Sequence, residues 1–346
     1  MPKRHINIPI FIPHLGCPNS CVFCNQRTIS GVSEFELDKV KDIIESSLST
    51  VTEDDECEIA FFGGSFTGID RDLMISLLEL AKEYCLSGRV HSVRCSTRPD
   101  YIDDEILDIL EKYGVGTVEL GLQSSSDKVL SLCKRGHSFA DEERACRLIT
   151  SRAFSLVGQM MIGLPGSTLD DEIATANFII RSGAHSARIY PTVVFRDTEL
   201  CDMASRGIYA PLSVDEAVER SGAVLKRFYD AGVKVIRIGL CASDNLSSDD
   251  TYFAGPNHSA LGELVENELF YINIKEKLLS CSLESGEVVF IKIPKGTMSK
   301  AVGHKKKNRI RLLSEFSGIS LRFAETEALK GYDVKIEREE RTYKCI

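Results

Sequence analysis

No run of about 18 apolar residues occurs in the chain, so no membrane-spanning helix is expected. Cysteine is too dilute for a disulfide scaffold, at twelve among 346 residues, yet more plentiful than an ordinary core needs. Positive charge is not in excess: 51 acidic and 42 basic side chains leave a formal net charge of −9. A protein that coats nucleic acid over its whole surface is thereby excluded, whereas a local basic patch is not. No secretory signal is expected either. Lys3, Arg4 and His5 precede an apolar stretch from Ile6 to Leu15, but Pro9 and Pro13 interrupt it and no small-residue cleavage site follows. That stretch reads as a first β-strand. The chain is expected in a reducing cytoplasm, where clustered cysteines bind metal or do chemistry more often than they pair.

What is present is an ordinary globular composition, 43% apolar and 27% charged. It excludes disorder, collagen and coiled coil as global descriptions. The length allows two domains, or one large barrel with an appendage.

The first two thirds alternate strand and helix patterns. Strands are expected at Ile6–Ile12, Glu58–Phe62, Val90–Cys95, Thr117–Leu122, Leu156–Ile162, Ser186–Tyr190 and Val233–Ile238. Between them the apolar spacing predicts helices at Glu34–Leu48, Asp72–Cys85, Ile102–Tyr113, Phe139–Ser151, Thr168–Arg181 and Val214–Ala231, with Gly114 stopping the third. Parallel strands joined by helical crossovers give this alternation. It suits a complete or partial barrel or a doubly wound sheet, because strand order is not encoded in spacing. Polar, turn-rich residues run from Cys241 to Tyr252, and the character changes again beyond Glu284. The expected organisation is a barrel-like unit over 1–245, a linker or lid over 246–284 and a small basic α+β unit over 285–346. In the last, Val288–Ile293, Ser320–Phe323 and Asp333–Glu337 read as strands and Lys305–Phe316 as a helix.

Cys17, Cys21 and Cys24 form C-x-x-x-C-x-x-C in the loop after the first strand. Three thiolates so close can ligate three irons of one [4Fe–4S] cluster, leaving the fourth iron open to a substrate-like molecule. A zinc site completed by His14 and three incidental cysteines are the rival readings. The segment from Gly16 to Cys24, with Phe23 before the third cysteine, resembles the signature of radical S-adenosylmethionine (SAM) enzymes. That resemblance implies an α/β fold with a partial or complete (β/α) barrel. It also implies a [4Fe–4S] cluster, SAM chelated at the open iron, and a one-electron reductant such as flavodoxin or ferredoxin. The cofactors carry the difficult chemistry, and the protein positions them and excludes water and oxygen.

The remaining unusual segments fall at strand ends, where a parallel α/β enzyme keeps its site. Gly63-Gly64-Ser65 follows the second strand, and its glycines admit either a ligand or a plain tight turn. In the resembled enzymes such a segment holds the methionine amino group of SAM, with an acid where Ser65 stands here. Thr97-Arg98-Pro99-Asp100 follows the third strand, where Asp100 is a candidate helix cap. Glu119 to Ser124 ends the fourth strand, and a Glu119 in an apolar strand is costly unless paired. Arg135-Gly136-His137 precedes a helix, Gly163-Leu164-Pro165-Gly166 ends the fifth strand, and Tyr190 to Thr198 follows the sixth. All are expected on one rim beside the cysteines.

Together these segments resemble the branch containing the catalytic subunit of Elongator and, more distantly, the oxygen-independent coproporphyrinogen oxidases. That resemblance makes Ser96, Gln123, Arg135 and Gln159 candidate contacts to SAM. It also implies an RNA substrate, with a wobble uridine of tRNA as one case, and no DNA partner. The second reading is an oxidoreductase of a small metabolite, as in the porphyrin branch. Two departures stand out: the Elongator subunit spaces its first cysteines further apart, and its acetyltransferase domain is not expected in the residues after Gly239. The other nine cysteines form no second close triad, so most are expected to pack as small apolar residues.

Lys292 to Arg311 holds basic residues at 292, 295, 300, 305, 306, 307, 309 and 311 and no acid. A solvated helix face explains such a run. The following pattern, Gly303-His304-Lys305-Lys306-Lys307 leading into a helix and strand, instead looks KH-like, although the second loop glycine is missing and the loop reads one residue long. Lys305, Lys306, Lys307, Arg309 and Arg311 are therefore candidate RNA contacts. His258 and Glu263 are open to two readings, an acid–base pair or a capped helix beginning near Ser259.

Overall fold

Seven strands form one sheet in the order β1-β2-β3-β4-β5-β6-β8, every pair parallel. The structure is a computed structural model, and it describes residues 4–12, 17, 21–24, 35–52, 55–240 and 250–338. The strands are β1 (His5–Ile12), β2 (Glu56–Gly63), β3 (Ser92–Thr97), β4 (Val115–Gln123), β5 (Ser155–Ile162), β6 (Ser186–Pro191) and β8 (Lys234–Ile238). Spatial order equals chain order. With right-handed crossovers, that order puts every connecting helix on one face. A doubly wound sheet would reverse direction partway. The sheet is thus a curled, open barrel of the radical SAM type, with β1 and β8 as its edges. Pro9 lies on edge strand β1, where a missing N–H costs no ladder bond.

The helices of this unit are α1 (Asp38–Leu48), α2 (Arg71–Leu86), α3 (Asp104–Lys112), α4 (Asp127–Leu132), α5 (Phe139–Thr150), α6 (Leu169–Arg181) and α7 (Glu199–Ser205). Ser138 and Thr168 start α5 and α6 with capping boxes closed by Asp141 and Asp171. Asp103, rather than Asp100, caps α3 by accepting from the Ile106 N–H; Asp100 instead pairs with Arg98. Alternation along the strands separates the two faces of the sheet. Ile8, Ile10, Ile59, Phe61, Val118 and Leu120 are fully buried core residues. A Cβ on Gly158 would stand 2.6 Å from Ile179 of α6, so Gly158 marks the helix-covered face of β5. Residues on the alternate positions of the same strands, Glu58, Arg94, Glu119, Gln159 and Arg188, point to the concave face. A two-stranded antiparallel ribbon, β7 (Val194–Phe195) with β9 (Tyr252–Ala254), extends from β6.

The chain divides into two compact units, residues 1–212 with 228–257, and residues 213–227 with 258–346. The second takes most of α8 (Val214–Asp230), then α9 (Leu261–Leu279), β10 (Val288–Pro294), α10 (Met298–Val302), α11 (Lys307–Glu315), β11 (Ser320–Thr326) and β12 (Lys335–Arg338). Its sheet runs β11-β10-β12, with β10 parallel to β11 and antiparallel to β12. These divisions differ from those expected. The stretch 246–284 is not simply a connector: Phe270, Tyr271, Ile274 and Leu278 of α9 join Val289, Ile291, Ile293, Leu312 and Leu321 in the core of the second unit. The loop between α10 and α11 is four residues, 303–306, not one too long. His258 Nδ1 accepts from the Ala260 N–H at 3.1 Å, so it supports the turn into α9, which begins at Leu261 and not at Ser259.

Candidate active site

The described cysteines of the loop lie between β1 and the α4–α7 region. Val22 donates to the Cys133 carbonyl at 3.2 Å, and Leu200 donates back to the Val22 carbonyl at 2.8 Å. Val22 is buried with Val129, Cys133, Leu164, Val194, Leu200 and Tyr209, and Phe23 packs on the same cluster. The residue between two cysteines is therefore a core plug that pins the loop. Cys24 donates its N–H to the Cys21 carbonyl at 3.0 Å, closing a tight turn.

Two thiols have named neighbours. Cys17 Sγ stands 3.8 Å from Ser65 Oγ, which places Ser65 of the glycine turn at the cysteine loop. Arg135 Nη1 donates to Cys21 Sγ at 3.4 Å, and Nη2 donates to the Gly121 carbonyl at 2.7 Å. Both neighbours of Arg135 take left-handed backbone, Lys134 at φ 54° and Gly136 at φ 76°, which turns the chain so that one arginine projects inward. The Arg135 carbonyl in turn accepts from Arg98, whose Nε is held at 2.9 Å by Asp100. Among the described residues no group of three or more His, Cys, Asp or Glu side chains closes on a single ion. A cubane asks for something different, because each thiolate takes a separate iron. The donor set fits it: three thiols on one short loop, with a guanidinium on one sulfur. His14 of the zinc reading lies outside the described residues, as do Cys241 and Cys345. Burial pushes the Cys95 and Cys133 thiols up to about 12, so these are packed and unreactive.

The strand-end residues lie at different depths. Gly63 has φ +117°, and a Cβ there would come within 2.6 Å of the Ile12 carbonyl, to which Gly64 donates its N–H at 3.0 Å. Contact with the end of β1 thus already requires glycine at 63, before any ligand is considered. Gln123 closes β4 in left-handed backbone at φ 73°, and a Cβ on Gly121 would meet its amide at 3.0 Å and Arg135 at 3.4 Å. Ser96 pairs in register with Glu119 on the concave face. The Gly163 turn is held from within: Glu172 accepts its N–H at 2.6 Å and Tyr209 donates to its carbonyl at 2.7 Å.

Gln159 and Glu119 sit deeper. Glu119 is completely buried and accepts from Arg94 at 2.8 Å, Arg188 at 2.9 Å and Gln159 at 2.9 Å, while Arg94 also donates to Glu58 at 2.7 Å. Two guanidiniums and two carboxylates balance, which is what keeps a buried carboxylate affordable in energy. Sequence reasoning singled out Glu119 but passed over Arg94 and Arg188; single charges at concave positions of apolar strands were the available signal. Above this layer Phe11 and Phe62 lie with ring centroids 6.2 Å apart, and Arg188 covers Phe62 at 5.6 Å. The concave face therefore offers a charged floor and an aromatic wall beside the cysteine loop.

Behind Arg135, His137 Nε2 lies 3.0 Å from Glu142 Oε1, both side chains fully buried. Burial lowers the imidazole to about 4 and raises the Glu142 carboxyl well above its usual range, so desolvation disfavours the charged form of both groups.

Comparison with known proteins fits this geometry. Residues 11–179 match the profile of the Radical SAM superfamily, and residues 184–271 match the Radical_SAM C-terminal domain. The chain belongs to the radical SAM superfamily, whose members use a [4Fe–4S] cluster and SAM. It is 30% identical over 217 residues to a tRNA uridine(34) acetyltransferase of Methanocaldococcus infernus, covering 62% of this chain and 38% of that protein. It is 26% identical over 191 residues to human Elongator complex protein 3, covering 49% of this chain and 35% of that protein. The chain thus spans well under half the length of these relatives. A solved structure of the archaeal M. infernus Elp3 superimposes with a TM-score of 0.62 at 22% identity, covering 81% of this chain and 65% of that one. Among the described residues no helix is long and apolar enough to cross a membrane.

Proposed function

We propose that this protein is a radical SAM enzyme that modifies RNA, with a wobble uridine of tRNA as the target. Cys17, Cys21 and Cys24 hold the cluster. Gly63, Gly64, Ser65, Ser96, Gln123, Arg135 and Gln159 hold SAM, and Phe23 packs the loop between them. A reduced cluster bound there would supply the electron that cleaves SAM, and with it radical chemistry for hydrogen abstraction or addition.

The chain's own residues set the conditions for that chemistry. Arg135 places a fixed positive charge on a cluster sulfur, and Ser65 Oγ faces another. Gln123, in strained left-handed backbone, presents its amide over Gly121, and such strain clusters at functional sites. The charged floor around Glu119 orients polar groups of a substrate, and Phe11 and Phe62 suit the face of a planar base. The observation that carries the reading is the junction of Cys21, Arg135 and Gly121, which ties the cysteine loop to the strand-end segment shared in pattern with the Elongator branch. The relatives named for tRNA uridine modification support the substrate class.

The test is mass spectrometry of tRNA nucleosides from a strain lacking this chain. Loss of one modified uridine, restored by the wild-type gene and not by one encoding Cys21→Ala, is expected. An unchanged tRNA nucleoside profile would refute the RNA assignment and favour a small-metabolite substrate.

A further inference from the structure

We propose that the loop 303–306 of the second unit clamps the phosphates of single-stranded RNA, with Lys305, Lys306 and Arg309 as its contacts. The proposal rests on the RNA reading above and adds to it a docking surface outside the barrel unit.

The argument begins with which cations are already neutralised. Of the basic run, Lys292 pairs with Glu337, Lys295 with Glu327, Lys300 with Glu266, Lys307 with Asp215 and Arg311 with Glu268. Arg311 also lies over the Tyr271 ring at 3.6 Å. Lys305, Lys306 and Arg309 are exposed and make no ion pair with the described residues. Three neighbouring cations repel one another, and a polyanion relieves that repulsion while releasing its own counterions.

Lys305 and Lys306 line a formed concavity, and Arg309 lies on the helix that follows. Met298, Ser299, Val302, residues 303–306 and Glu263 line a groove of about 400 Å³. The loop beside it is fixed in advance. Asn308, 2% exposed, donates to the Asn267 carbonyl at 2.7 Å and to those of Lys300 and Ala301 at 3.3 Å. Gly303 has φ +82°, and a Cβ there would meet the Asn308 N at 2.8 Å, so only glycine fits. Lys305 and Lys306 both hold left-handed backbone, at φ 50° and 63°. Lys306 thus stands, with left-handed backbone and a charged side chain, at the position where a GxxG loop has its second glycine. A preorganised cationic loop between two helices, over a sheet with parallel β10 and β11, suits the clamping of a few nucleotides of an unpaired strand. Glu263 repels phosphate from its side of the groove and can accept from a base amine or a 2′-hydroxyl, which favours RNA over DNA.

The test measures fluorescence anisotropy of the full cluster-loaded chain with a labelled single-stranded RNA oligonucleotide and its DNA counterpart, over a salt series. The variant Lys305→Gln/Lys306→Gln/Arg309→Gln is expected to bind RNA at least about tenfold more weakly at low salt, with a salt slope shallower by about 2. Its melting temperature and its RNA-independent release of 5′-deoxyadenosine are expected to stay at wild-type values. Lys306→Gly keeps the backbone conformation and is expected to lose only its own share of the slope. Wild-type affinity and slope in the triple variant would overturn the surface while leaving the RNA reading intact. Failure of the wild-type chain to bind RNA at all would overturn both, and equal affinity for DNA would overturn the assignment to RNA.

Discussion

Arg135 places one guanidinium nitrogen 3.4 Å from the sulfur of Cys21 and the other 2.7 Å from the carbonyl of Gly121. One side chain thereby locks the cysteine loop to the end of β4. A positive charge on a cluster sulfur favours the reduced cluster, which carries one more electron. Arg135→Gln is expected to keep full iron content but to move the cluster midpoint potential to a more negative value. SAM cleavage should slow by about 10- to 100-fold, the range of one lost charge-assisted hydrogen bond. Potentiometric titration followed by electron paramagnetic resonance reads the potential directly. An unchanged potential with slowed cleavage would show that Arg135 serves SAM alone.

Gly63 is required by β1 rather than by a ligand. Gly63→Ala forces a Cβ to within 2.6 Å of the Ile12 carbonyl at a φ of +117°. A loss of roughly 1–3 kcal/mol is expected from the strain alone, seen as a lower melting temperature. Because the next turn residue but one, Ser65, faces Cys17, iron content after reconstitution should fall in parallel.

Glu119 tests the charged floor. Glu119→Ala leaves Arg94 and Arg188 without their shared buried carboxylate, and a destabilisation of about 3–5 kcal/mol is expected. Glu119→Gln retains hydrogen-bonding atoms and should cost less. Denaturant midpoints of the two variants give the comparison; equal losses would mean that the charge, lost in both, governs the site rather than its shape or hydrogen bonds.

His137 and Glu142 give opposite pH dependences. In the unfolded chain Glu142 loses its proton near 4.5, whereas the folded chain holds it to higher pH. Folded protein then binds more protons, and stability falls as pH rises through that window. Unfolded His137 gains a proton near 6.5 but the folded residue only near 4, so stability falls as pH drops between those values. The two slopes oppose each other between the ordinary glutamate and histidine values, and the His137 slope ends at about 6.5. Glu142→Gln should therefore gain on the wild type in melting temperature as pH rises above the ordinary glutamate value. A difference in melting temperature that does not change with pH would contradict the raised Glu142 carboxyl.

The βα alternation was legible because periodicity is a local property, and the seven strands of the barrel sheet fall within two residues of expectation. Barrel or doubly wound sheet was not legible, since strand order is fixed by crossover geometry and not by spacing. The limits of the second unit escaped for a related reason. α9 follows a turn-rich segment and carries Asn267 and Glu268, yet both are buried, because Asn308 and Arg311 from α11 meet that helix. Such pairings lie some forty residues apart and no local pattern announces them. The same holds for the basic run: composition counts its cations, while only tertiary structure shows which already face an acid. At the site, the cysteine spacing and the strand-end segments could be read directly, but the contact of Arg135 with Cys21 needed the left-handed turn at 134–136.

One assay reaches the central claim most directly. Anaerobically reconstituted protein, holding about four irons per chain, is reduced and given SAM with and without unmodified tRNA. The account predicts 5′-deoxyadenosine release that tRNA stimulates, a mass change on a tRNA uridine, and loss of both in Cys21→Ala. SAM cleavage surviving in Cys21→Ala, or release that tRNA neither stimulates nor couples to any change in its mass, would contradict it.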